Sequence, residues 1–213
     1  LGVVHPELVG RFMPGYDFVS EPWIANDGSG RDPDASDPGD WLTLAETNTP
    51  GTLYYLNECG WDESGPPTQN IDSSWHGTFI AGQIVATSDN GIGVAGIHWG
   101  AKVLPVRVAG KCGALASDLL DGIRWAAGLP VNGVPSNGTP AKIINLSFGG
   151  SESCLSARSQ AYLATVNELV ANGVLLVVAA GNNATTLRRP ADCPGVLAVG
   201  AVRKDGLKTH YSS

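Results

Sequence analysis

Three short stretches of the sequence carry residue types suited to chemistry. In "SSWHGTFIAG", residues 73–82, His76 precedes Gly-Thr and an apolar run. Histidine changes charge near neutral pH and serves as a general base where a cleft exposes it. A lone histidine can equally be structural, but small Gly77, Ala81 and Gly82 allow close packing behind an exposed ring. In "VVAAGNN", residues 177–183, Asn182 follows a β-rich run. An amide at that place can donate hydrogen bonds to a developing oxyanion; an ordinary turn asparagine is the alternative. In "INLSFGG", residues 144–150, Ser147, Phe148, Gly149 and Gly150 follow another such run. Two glycines there let a peptide backbone approach and pair as an added strand, or they mark a plain loop exit.

These stretches need a scaffold, and residues from 76 onward supply one. The runs "AKVLPVRVAG", "AKIINLSFGG", "GVLLVVAAGN" and "GVLAVGAV" are rich in Val, Ile and Leu and bounded by Gly, Pro or Asn. Runs of that kind read as buried strands of a parallel sheet covered on both faces. Helices are expected at about 77–87, at 117–127 with Ser117 as N-cap, and at 158–172, ending on Asn172-Gly173. Alternating strands and helices predict an α/β fold, a three-layer, mostly parallel sheet with helices on both faces. Sites in such sheets form at the carboxyl ends of strands, where "SFGG" and "AAGNN" both fall. Residues 14–74, rich in Gly, Pro, Asp and Asn, read instead as long surface loops.

The chain has 213 residues, 43% hydrophobic and 15% charged, with a net charge of −7. That fits one compact domain over 1–213 and excludes a disordered chain. No basic patch suggests nucleic acid, no apolar run reaches the roughly 20 residues of a membrane span, and a monomer is expected. The opening "LGVVHPELVG" lacks the features of a signal peptide and begins without Met, which suggests an excised piece. Cys59, Cys112, Cys154 and Cys193 show no C-x-x-C spacing. Dispersed, even-numbered cysteines fit a secreted, disulfide-bonded protein, with four buried thiols as the alternative.

Taken in order, H-G-T-x-x-A-G at His76, "GIGVAGI", "INLSFGG" and "AAGN" resemble the subtilisin-like serine proteases, in particular their secreted bacterial branch. The similarity runs from "HPEL" to "THYSS" and is weaker over 14–74. The resemblance implies a serine endopeptidase acting on proteins or peptides through an acyl-enzyme. It makes His76 the general base and Asn182 the oxyanion donor. Ser147, Phe148, Gly149 and Gly150 would form one wall of the S1 pocket, and Ala180 and Gly181 part of the other. Gly110, Gly113 and Leu115 would lie in the segment that pairs with the more N-terminal residues of the substrate. The family's catalytic Asp sits in an Asp-Thr-Gly motif upstream of "HPEL", and its Ser in a Gly-Thr-Ser motif beyond "THYSS". Neither motif occurs here, and Asp17 and Ser147 sit in other contexts. The expectation is an internal fragment of a protease, inactive when expressed alone.

The resemblance also implies calcium. Glu7, Asn90, Ile92 and Val94 match a family loop of oxygen ligands, though "SDNGIGVAG" can also be a bare glycine-rich turn. Asp27, Asp32, Asp34 and Asp40 crowd one acidic loop, either solvated or holding a second calcium. Of three disulfide pairings, the expected one joins Cys154 to Cys193, beside the S1 loops, and Cys59 to Cys112. Arg188 and Arg189 fall near the floor of the S1 pocket, where one could select acidic or small residues, or simply reach solvent. The rival functions are a non-catalytic peptide-binding module on the same sheet and an unrelated doubly wound ligand-binding domain.

Overall fold

The computed structural model describes residues 5–62 and 64–213. The first four residues of the N-terminal stretch read above lie outside them. The chain divides into two compact units, residues 1–122 and 123–213.

In the first unit a 3-10 turn at Pro6–Leu8 leads to β1 (Tyr16–Asp17). Three short helices follow: α1 (Pro22–Ala25), α2 (Leu44–Asn48) and α3 (Leu53–Leu56). Then come α4 (His76–Val85), β2 (Val106–Arg107) and the start of α5 (Ala116–Ala126). β1 and β2 run parallel, Tyr16 opposite Val106 and Asp17 opposite Arg107. The stretch 14–74, expected as loops, thus holds one strand and three helices. The signal for α2 was present in the sequence. Thr43 and Glu46 form a reciprocal capping box, the hydroxyl accepting from the Glu46 N–H and the carboxylate from the Thr43 N–H. Phe18, Val19, Ile24 and Ala25 bury the apolar side of this region almost completely.

α5 opens one residue earlier than expected, because the Leu115 carbonyl accepts from the Leu119 N–H. Ser117 is therefore inside the first turn and is not its cap. Gly122 is the residue that lets this helix close on β2 and the residue after it, since a Cβ there would meet Val106 Cγ1 at 3.1 Å and Val108 Cγ1 at 2.6 Å.

The second unit carries β3 (Ile143–Leu146), a 3-10 turn at Ala157–Ser159, α6 (Gln160–Ala171), β4 (Leu175–Ala179) and β5 (Leu197–Val199). The three strands are parallel in the order β3-β4-β5. α6 ends as its sequence predicts. Gly173 adopts φ +66°, and the Val174 and Gly173 N–H groups return to the Leu169 and Val170 carbonyls. Leu146, Leu176 and Val178 are buried with Val166 and Leu169. The strands alternate instead of being buried throughout. In register, Ile143, Leu175, Leu197 and Val199 share the opposite side and are 65%, 40%, 50% and 50% exposed. The α/β class with parallel strands and connecting helices is as the sequence predicts.

Candidate active site

His76 is the first residue of α4 and is half-buried. The helix starts abruptly because Trp75, its N-cap, takes the left-handed conformation, φ 47° and ψ 26°. A bulky residue rarely adopts that conformation, and it costs of order 1–3 kcal/mol unless its surroundings impose it. The imposing contacts come from Asp40. Its two carboxylate oxygens accept from the Ser74 N–H and Oγ–H, both at 2.7 Å. Ser74 Oγ in turn accepts from the His76 N–H at 3.4 Å. The turn that presents the imidazole is thus braced by a carboxylate 36 positions upstream.

Gly110 and Gly113 exchange backbone hydrogen bonds of 3.0 Å in each direction, making a tight turn. Gly113 and Leu115 are exposed, whereas Lys111, between the two glycines of the turn, is buried. Lys111 was not singled out in the sequence. Its ammonium lies 2.6 Å from Glu46 Oε1 and over the rings of Trp41 and Tyr54, at 4.9 and 5.3 Å from their centroids. Burial of the Glu46 carboxyl is outweighed by Lys111 and by the Thr43 donors, which hold it below the usual glutamate range.

In the second unit, Ser147 to Gly150 leave the carboxyl end of β3, with Phe148, Gly149 and Gly150 exposed. The Gly150 N–H donates to the Arg189 carbonyl at 2.8 Å. Gly181 and Asn182 leave the end of β4, and Asn182 is exposed. Ala180 is buried and hydrogen-bonded to Val199. Gly181 has φ +107° and its carbonyl accepts from the Ser213 N–H. Both loops therefore sit where parallel strands deliver side chains to a site. Arg189 is turned inward, with Nη1 on Ser159 Oγ at 2.8 Å and on Glu152 Oε2 at 3.2 Å, and its guanidinium stacks over Tyr162. It braces this loop and is committed there, while Arg188 is exposed.

Glu7 is only 4% exposed. Its Oε1 accepts from Asn90 Nδ2 at 2.9 Å and its Oε2 from the Val94 N–H at 3.3 Å. Asn90 Oδ1 accepts from the Ile92 N–H, and residues from Thr87 to Ala95 line an open cavity of about 300 Å³. The four residues expected to act together are adjacent. Among the described residues no cation pairs with the Glu7 carboxylate, and a buried charge is ordinarily paired or metal-bound.

The acidic loop was expected either to be solvated or to hold a second calcium, and the structure shows where its carboxylates bond. Asp27, Asp32, Asp34 and Asp40 do not converge on one point among the described residues. Arg107 Nη1 bonds Asp17 at 2.5 Å and Asp27 at 2.7 Å, and Nη2 lies 3.6 Å from Asp37. Asp32 and Asp34 cap the next turns at the Asp34 and Ser36 N–H groups, and Asp40 serves Ser74. A buried arginine and local turn donors take up most of these carboxylates. Arg107 is a buried anchor that the sequence reading missed. Burial pushes the Asp17 carboxyl up to about 6, against the Val19 N–H and Arg107, which lower it. Asp27 is held below its usual value, since the Ser29 donors and Arg107 outweigh its burial.

The disulfides are Cys59–Cys112 and Cys154–Cys193, as expected.

Parallel strands ending in exposed glycine loops, with a histidine at a helix start, define a subtilisin-like α/β protein. The profile of the subtilase family matches residues 5–213, across both units, and the chain belongs to that family. It is 44% identical over 211 residues to an extracellular protease of Xanthomonas campestris pv. campestris, covering 98% of this chain and 33% of that protein. It is 41% identical over 214 residues to an extracellular basic protease of Dichelobacter nodosus, covering 98% and 32%. A solved protease structure from Pseudoalteromonas arctica superposes with a TM-score of 0.81 at 43% identity, covering 98% of this chain and 56% of that one. The chain spans about a third of the length of those curated relatives. No described helix is long and apolar enough to cross a membrane.

Proposed function

We propose that this chain supplies the general base and the oxyanion donor of a secreted serine endopeptidase, as part of a single peptidase domain. His76 takes the proton of a serine nucleophile as it attacks the peptide carbonyl, then returns it to the leaving amine. The Asn182 amide donates to the tetrahedral oxyanion; in subtilisin, loss of the corresponding donor costs about 10²–10³ in kcat. Gly110 to Leu115 in one unit and Ser147 to Gly150 in the other are each assigned as backbone-pairing segments, with Ala180 and Gly181 beside the second. The nucleophile and the triad carboxylate are assigned to no residue of this chain. The observation that carries the reading is His76 itself, held at an abrupt helix start in H-G-T-x-x-A-G by the Asp40–Ser74 brace. Two disulfides and relatives named as extracellular proteases support secretion.

The test is peptide hydrolysis by the complete gene product. His76→Ala is expected to abolish it, and retention of wild-type turnover would refute the assignment. Calcium is proposed at Glu7, Asn90, Ile92 and Val94, because the loop that carries a side-chain amide and free-standing peptide carbonyls lies against the buried Glu7 carboxylate, which accepts from the Asn90 amide and the Val94 N–H. There the ion would supply charge neutralisation and no chemistry. Millimolar calcium should raise the melting temperature of the wild type and not of Glu7→Gln; an equal rise in both would remove the ion from this loop.

A further inference from the structure

The segment Gly110–Leu115 has a mechanical problem. Glycines at both ends of its turn leave its backbone with more conformational freedom than any other residue would. A strand that must pair with a substrate gains from being ordered beforehand, because ordering on binding subtracts from affinity. The first unit contains an anchor for it. Lys111 is the residue of the turn that points inward, its side chain 4% exposed. Its N–H donates to the Ile24 carbonyl at 2.9 Å, and Gly110 is pressed so close to that carbonyl that a Cβ would lie 2.0 Å from it. The ammonium is enclosed by Glu46, Trp41 and Tyr54. These partners are themselves fixed. Glu46 Oε2 accepts from the Thr43 N–H and Oγ–H, and the Tyr54 hydroxyl donates to the Trp23 carbonyl at 2.8 Å. Cys112 ties the next residue to Cys59.

We infer that Lys111 is a positioning residue for substrate: its ion pair with Glu46, inside the Trp41–Tyr54 box, holds the Gly110–Leu115 segment ready to pair with an extended peptide. Its side chain is turned away from the pairing edge into the box, and the inference rests on the proteolytic reading above. The compact ammonium meets one carboxylate oxygen and two ring faces. The box is formed by the irregular region 41–54, which gives that region a role in recognition.

The experiment uses the complete gene product with Lys111→Met, which keeps the buried stem and removes the charge. Glu46 is partly exposed and can be solvated in this variant. Glu46→Gln breaks the same pair from the other side. Two measurements are made, hydrogen exchange and steady-state kinetics on a short peptide and on one extended by several residues before the scissile bond. The expected result is about tenfold faster exchange at the Gly110, Lys111 and Gly113 amides with α6 unchanged, and about a tenfold rise in KM for the long peptide alone, at unchanged kcat. Faster exchange everywhere, or equal losses on both peptides, would make Lys111 merely structural and overturn the inference. So would faster local exchange with an unaltered KM on the long peptide. A wild-type protein without His76-dependent hydrolysis would instead overturn the proteolytic reading, and this inference with it.

Discussion

Residues 14–74 and residues 143–199 solve the same problem by different physics. The later region is a parallel three-stranded sheet with α6 against it, held by periodic apolar burial at Leu146, Leu169, Leu176 and Val178. The earlier region has few and short regular elements, and directed bonds add to its small apolar cluster of Val19, Ile24 and Ala25. Arg107 gathers Asp17, Asp27 and Asp37, Arg31 spans Asp118 and Asp121, and Lys111 takes Glu46. Nondirectional burial tolerates small changes of shape, whereas a buried ion pair fails when one member is lost. The two regions should therefore respond differently to the same conditions.

The largest effect expected is for Arg107→Ala. It leaves Asp17, fully buried, without its cation, and removal of one member of such a pair costs about 3–5 kcal/mol. Urea unfolding at pH 8 should show it, and the loss should shrink near pH 5, where Asp17 can protonate. Leu176→Ala, in the sheet region, should cost about 2–5 kcal/mol at both pH values. If Arg107→Ala were equally insensitive to pH, the contrast between the regions would collapse.

Asp17 sharpens the contrast further. Its native pKa, about 6, lies above the ordinary value of 3.8, so the native state holds the proton more tightly than the unfolded chain. Its contribution is complete below pH 3.8 and is lost as pH rises through 6, an effect on the order of 2–3 kcal/mol. Asp27 and Glu46 act in the opposite sense, since their depressed values add stability that is lost on acidification. Comparing Asp17→Asn with wild type between pH 4 and 7 isolates the first term: the variant should lack the decline. The smallest effect is for Thr43→Ala, which removes the cap of α2 and should cost about 1 kcal/mol in urea unfolding.

What could be read from the sequence follows the same division. β3, β4 and β5 announce themselves as Val-, Ile- and Leu-rich runs bounded by Gly, Pro or Asn, and α6 by its Asn172-Gly173 end; the alternation of the strands was not read. His76, Asn182 and the glycine loops were legible by motif. Arg107 and Lys111 were not, because an isolated cation carries no pattern; its partners lie 90 and 65 positions away. The same reason hid the fate of the aspartates at 27–40. Their density fitted either a solvated loop or a bound ion, and it is the fold that shows their bonds to Arg107, turn amides and Ser74. The Thr43–Glu46 capping box, the Thr52 cap of α3 and Pro22 at the start of α1 were local signals in that region.

The placement of the cysteines has a consequence for how the chain reaches its oxidised form. Four thiols can pair in three ways. Cys59 and Cys112 both fall within residues 1–122, and Cys154 and Cys193 both fall within 123–213. Each of the other two pairings would need a sulfur from each half of the chain. If each half collapses on its own contacts first, chain proximity alone selects the native pairing, and oxidative refolding should proceed with few scrambled isomers and little need of an isomerase.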